Sequence, residues 1–241
     1  MDDYNFLNIP DSCFIGSTIY KKLFYENANL SSSDKHLFTD IINKIVWLYC
    51  LKPETINIPV YKDEVREYPE IEVIEVILNK EYGLNRIAEI IMRTIPYPML
   101  LIFKLEDKIR FYMAHQRTNQ SDSSKNTIEE FISTDWLRND SDLFAKLDIK
   151  QMRFTNFYTL YSDIVDAISI YNLSAIMPTD DTVTGAKARE LSAKIEDIEQ
   201  RIANLRSKLK KESQFNRKME LNIEIKRLEQ SKNKLLGGDN E

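Results

Sequence analysis

The sequence predicts an α+β domain, a mixed sheet with a β-hairpin and flanking helices, followed by a C-terminal coiled-coil helical hairpin. Three observations carry this expectation. The run Glu70 to Leu78 (EIEVIEVIL) is Val/Ile-rich and nearly continuous, as a central strand covered on both faces should be. Met99 to Leu105 and Lys108 to Arg117 flank a two-residue turn at Glu106-Asp107, the spacing of a β-hairpin. From Ala186 to Leu236 there is no Gly and no Pro, and Leu191, Ile195, Ile198, Ile202, Leu205 and Leu209 recur at heptad spacing. The implied organisation is a globular body over 1–175, a linker over 176–185 and a helical arm over 186–236.

Within the body, residues 1–30 read as irregular to weakly helical. The run SSSDKHLFTDIINKIVWLYCL reads as a helix capped by Ser32 or Ser33. Leu37, Ile41, Ile45 and Leu48 line one face, and Pro53 ends it. Thr55 to Pro59 is short and β-prone. Gly83 opens a helix striped by Ile87, Ile90, Ile91 and Ile95, which Pro96 and Pro98 stop. After the hairpin come a polar loop over 119–125, a strand at Thr127 to Ile132, and helices near 143–152 and 156–171. Pro178 to Gly185 is rich in turn-forming residues and forms the core of the linker.

The arm contains a slip. Followed at about 100° per residue from Leu209, the first stripe continues onto Ser213, Asn216, Glu220 and Arg227, all polar. The second apolar set, Leu221, Ile225, Leu228 and Leu235, lies roughly 110° around the cylinder. An antiparallel hairpin with its tip near Lys211 to Lys218 accounts for this. A continuous helix with a register shift, dimerising along its length, is the rival. A seam so narrow needs a partner helix in either case, so Leu191 to Leu209, with Leu221, Ile225 and Leu228, are the expected partner-binding residues.

Charge is split along the chain. The segment Ala186 to Leu236 holds 14 Lys/Arg against 8 Asp/Glu, a net +6, which leaves −11 on the rest of a chain whose total is −5. Body and arm are therefore suited to different partners, or are two solvated surfaces of different composition. At the tip, Arg206, Lys208, Lys210, Lys211, Arg217 and Lys218 surround Phe215. Basic residues interleaved with an aromatic suit phosphates and a stacked base; they equally suit an acidic protein surface or plain solvent.

Catalytic signals are weak. A G-x-G-x-x-G, a Walker A loop and a G-x-S-x-G are all missing from the sequence. Two His and two Cys are too few for a zinc site, and neither a metal nor a cofactor is expected. Glu75 stands out because it shares strand parity with Ile71, Val73 and Ile77, while Glu72 points the other way with Ile74 and Val76. A carboxylate on an apolar face needs a partner, and Arg110, His115 and Arg117 on the hairpin are the candidates. Glu72, Glu75 and Lys80 together resemble a metal-dependent nuclease core, in which acids hold Mg²⁺ and a lysine aids the attacking water. Their spacing departs from the usual acid-x-Lys signature, and a buried ion pair or solvated edge is the plainer reading. Cys13 and Cys50 sit in apolar settings, as in a reducing, cytoplasmic compartment. The start MDDYNF lacks the features of a signal peptide, and stretches such as PMLLIF are too short to cross a bilayer.

Five segments in order carry a family resemblance: LFYEN at Leu23 to Asn27, the W-x-Y-x-L-x-P-E-T-I-N spacing at Trp47 to Asn57, EIEVIEV-x-L at Glu70 to Leu78, IPYP at Ile95 to Pro98, and KKESQFNRKMELN at Lys210 to Asn222. Together they resemble the bacterial family called domain of unknown function 4391. The chain departs from that family at Cys50, where a basic residue is usual, and at His115-Gln116-Arg117, where a Tyr-Lys-Arg-like ending is usual. The resemblance implies no reaction. It implies an accessory component of restriction or anti-phage loci, working beside a helicase or DNA methyltransferase. The function expected is thus a non-catalytic assembly subunit that docks through its arm or pairs with a second copy. A divergent nuclease and a nucleic-acid-binding module are the alternatives.

Overall fold

Seven of the eight residues of β5 (Ile71–Leu78) are buried, because a neighbouring strand and packed side chains flank it on every side. The structure, a computed structural model, describes residues 4–118, 126–138 and 140–237. β5 pairs antiparallel with β2 (Ile42–Leu51) and parallel with β6 (Met99–Leu105). With β1 (Phe14–Thr18), β7 (Lys108–Thr118) and β8 (Asn126–Ser133), these form a six-stranded mixed sheet in the order β1-β2-β5-β6-β7-β8. The expected hairpin is β6–β7, whose turn places Glu106 at a φ of 57°. The polar loop expected at 119–125 lies outside the described residues.

One face of the sheet is covered by α1 (Lys22–Asn27), α2 (Ser32–His36) with the π-turn Leu37–Ile41 behind it, and α4 (Leu84–Thr94). Phe24, Phe38, Ile87 and Ile91 pack there on Ile45, Ile74, Val76, Leu101 and Phe103. α2 is held by a capping box between Ser31 and Asp34, and a two-pronged ion pair from Arg86 to buried Asp34, at 2.8 and 2.9 Å, ties it to α4. That guanidinium holds the Asp34 carboxyl well below the usual carboxylate range. On the other face the Phe6 ring stacks on Phe144 and both meet Phe111 edge to face, and the Tyr161 hydroxyl accepts from the Ala114 amide. Phe144 belongs to α5 (Leu143–Lys146) and Tyr161 to α6 (Phe157–Ser174).

Several expectations are corrected. The helix over 31–51 ends at Ile41, after α2 and the π-turn, and its second half is the strand β2; the N-cap is Ser31, not Ser32 or Ser33. Ile42, Ile45, Val46, Trp47 and Tyr49 are β-branched or aromatic, and pairing on both edges with β1 and β5 outweighs the helical spacing of Leu37, Ile41, Ile45 and Leu48. Thr55 to Pro59 is not extended. Pro53 starts the short α3 (Pro53–Ile56), Thr55 caps it, and Asn57 ends it at a φ of 57°. β1 and the two-stranded pair β3 (Tyr61–Lys62) and β4 (Glu67–Tyr68) are additional strands.

Gly83 N-caps α4 at a φ of 65°, and a Cβ there would stand 2.6 Å from Cδ2 of Leu37. Gly83→Ala is therefore expected to destabilise the chain by about 1–3 kcal/mol, read as a lower urea midpoint with an unchanged m-value.

The chain divides into two compact units, Met1–Ile168 and Ser169–Glu241, with the division inside α6 rather than in the 176–185 linker read from sequence. In the second unit Leu173, at the end of α6, packs with Ala188 and Ile195 of α7 (Gly185–Lys211). α7 and α8 (Phe215–Leu235) form the helical hairpin, antiparallel as the Arg206–Glu229 and Glu199–Lys232 ion pairs require. Glu212, Ser213 and Gln214 make the turn without Gly or Pro. The Glu212 carboxylate accepts from the Ser213 and Gln214 amides at 2.8 and 2.9 Å, doing locally what a glycine turn would otherwise do. Among the described residues no helix is long and apolar enough to cross a membrane.

Candidate functional site

Burial makes the carboxylates of β5 chemically unusual groups of the body. Glu72 is 3% exposed. It accepts the indole N–H of Trp47 at 2.5 Å and the thiol of Cys50 at 3.6 Å, and the same thiol reaches Glu70 at 3.7 Å. β2 supplies this arrangement by pairing Cys50 directly with Glu72. Burial pushes the Glu72 carboxyl up to about 7, with the Glu70 charge adding to it and the Trp47 hydrogen bond opposing it. Burial, then the charges of Glu72 and Glu70, push the Cys50 thiol up as well, so it remains a thiol. One donor atom from each of Cys50, Glu70 and Glu72 lies within 4.8 Å of the others, a close set of metal-type donors among the described residues. Protein donors already meet both Glu72 oxygens, so hydrogen bonding accounts for the set.

Glu75 points to the opposite face and accepts the Tyr4 hydroxyl at 2.6 Å. None of the three expected partners meets it in the described contacts. Arg110 lies over the Tyr112 ring and contacts Ser133, His115 shares a 2.7 Å hydrogen bond with buried Tyr68, and Arg117 is exposed. Lys80 is exposed beyond the end of β5. Glu72, Glu75 and Lys80 are thus not brought together: the two acids keep separate faces and separate partners. Tyr4 was missed from sequence because it pairs with Glu75 across 71 residues.

In the arm, the heptad stripe finds its partner inside the chain. Ile202 and Leu205 pack on Leu221, Ile225 and Leu228, with Ile198 and Leu209 alongside, while Leu191 and Ile195 pack nearer the base. The apolar residues left outward are others: Phe215, Met219 and Ile223, at 74%, 49% and 48% exposure. They are spaced i, i+4, i+8 on α8, roughly opposite the packed face. The basic tip is partly neutralised, since Arg206 pairs with Glu229 and Arg217 with Glu220. Lys208, Lys210, Lys211 and Lys218 are exposed, with no ion pair among the described residues.

A third place was not visible in the sequence. In the body, a cleft of about 760 Å³ is lined by Tyr4, Asn8, Asp11, Phe14, Tyr49 and Lys150, with Asn5, Ile9 and Pro10 completing its rim. Its residues come from the N-terminal segment, two strands and the turn Ile149–Gln151, so no local spacing marks it.

Against known proteins, the family model described as Domain of unknown function (DUF4391) matches residues 7–231 of the 241. The chain belongs to that family. The DUF4391 match takes in the Glu72 cluster, most of the cleft and the α7–α8 hairpin through its packed core, so body and arm are parts of one family unit. No curated protein and no solved structure matches the chain.

Proposed function

We propose that this protein is a non-catalytic docking subunit of a bacterial DNA-modification or anti-phage defence complex, working in the cytoplasm. The observation that carries the docking role is the stripe of Phe215, Met219 and Ile223, turned to solvent on a hairpin whose own core is already filled. Exposed large apolar side chains aligned on one helix face raise the free energy in water and lower it when a partner covers them. Lys218 and Lys226 flank the stripe and favour an acidic rim on whatever covers it. The family resemblance directs the search to a helicase or DNA methyltransferase. Both free cysteines are buried, which suits a reducing compartment.

Recovery of a helicase or methyltransferase from the native host with the intact chain is expected to fall at least about tenfold with the combined change Phe215→Ser, Met219→Ser, Ile223→Ser. Helical content should be unchanged, because these side chains stand outside the cluster that holds α7 on α8. Equal recovery with the variant refutes docking through this face. The nucleic-acid reading has its own support in exposed Phe215 beside Lys210, Lys211 and Lys218. It requires binding that weakens steeply with salt, and a slope flattened when those lysines lose their charge.

A further inference from the structure

The cleft in the body has a chemistry that the docking role does not use. Tyr4, Phe14 and Tyr49 line it, and the Phe14 and Tyr49 rings meet edge to face at 5.6 Å. The cation is Lys150, whose ammonium makes, among the described residues, a long 3.3 Å contact to the Asn8 side chain. Asp11 supplies an acceptor, and Asn5 and Asn8 supply amides. Two backbone devices set the lining. Asn8 takes a φ of 51° to end the turn Asn5–Leu7. Gly16 takes a φ of 65°, and the Phe14 ring folds back over it so closely that a Cβ would stand 2.6 Å from its Cζ. Only glycine lets that ring lie there, so the aromatic wall depends on this residue.

The volume, about 760 Å³, suits a small molecule rather than a peptide or a duplex. Flat aromatic walls select a planar ring, a lone ammonium selects an anion, and a carboxylate with two amides selects hydroxyl, amino or carbonyl groups on the same molecule. We propose that this cleft binds a mononucleotide, with its base against the Phe14 and Tyr49 rings and its phosphate at Lys150.

The test is a titration of the full chain with the four ribonucleoside monophosphates, followed by calorimetry, with adenosine and inorganic phosphate as separate probes. At least one monophosphate is expected to saturate with a Kd below about 1 mM. Lys150→Ala should weaken it about tenfold while leaving adenosine unaffected. Phe14→Leu should weaken nucleotide and nucleoside alike. Gly16→Ala, which displaces the Phe14 ring without touching any polar group, should reproduce the Phe14→Leu result with the fold intact by circular dichroism. Absence of saturation by all four monophosphates overturns the proposal. Phosphate binding as tightly as the nucleotides also overturns it, because the rings would then contribute nothing. These outcomes are independent of whether the arm docks a partner.

Discussion

Replacing Ile202 with Asp in the intact chain is expected to unfold the helical hairpin while leaving the body folded. Ile202 is 7% exposed and sits among Leu205, Leu221, Ile225 and Leu228, the residues that hold α7 on α8. An aspartate there removes apolar burial and places an unpaired charge among hydrocarbon, a loss on the order of 3–5 kcal/mol. The cluster has only five buried members, so the loss is a large share of the packing that holds the two helices together. Circular dichroism at 222 nm should fall, and trypsin should cut within the Lys/Arg-rich arm while sparing the strands. Full helicity and unchanged protease resistance would show that Ile202 does not bear the hairpin's packing. The contrast with the Phe215/Met219/Ile223 variant matters. One change should destroy the arm and the other should leave it standing with nothing to hold.

The second large effect concerns pH. A carboxyl raised to about 7 in the folded chain, against an ordinary value of 4.5, keeps a proton between those two values that the unfolded chain has released. Stability from Glu72 is therefore fully present below pH 4.5 and is lost as pH rises through 7, in all about 3 kcal/mol. Glu72→Gln keeps an oxygen for the Trp47 N–H but cannot ionise. It is expected to be the more stable form at pH 8 by about 1–3 kcal/mol and to lack the decline between pH 5 and 7. Urea unfolding of both forms at pH 5 and pH 8 measures this. Trp47 emission should titrate with the same midpoint in the parent and stay flat in the variant. Parallel pH slopes in the two proteins would mean that another group is responsible.

What could be read from the sequence was what neighbouring residues decide among themselves. β5, the β6–β7 hairpin and α4 each declare themselves within a dozen residues, through a Val/Ile run, a two-residue turn or a glycine start with an Ile stripe. β2 does not, because its apolar spacing fits a helix as well as a strand, and only β1 and β5 decide between them. The hairpin was legible in the offset between two apolar sets. Its outward face was not, because only the packed hairpin shows that those two sets satisfy each other and leave Phe215, Met219 and Ile223 over. Of the candidate chemistry, Glu72 and Glu75 were rightly placed on opposite faces, but Tyr4, Trp47 and the cleft depend on contacts between distant segments.

The two outer strands of the sheet have a consequence for behaviour at high concentration. β1 sets Phe14 opposite Tyr49 and Ser17 opposite Trp47, so an extra residue bulges out, and Gly16 lies within that bulge. β8 is interrupted in the same way between its Ala114–Phe131 and Gln116–Ile128 pairings. A flat, regular outer strand is a template on which another chain can add its own and begin aggregation; a kinked one presents donors and acceptors out of step. Edge-to-edge pairing is thus opposed at the margins of the sheet, and the chain can keep an apolar stripe on its arm without inviting strand-by-strand assembly of its body.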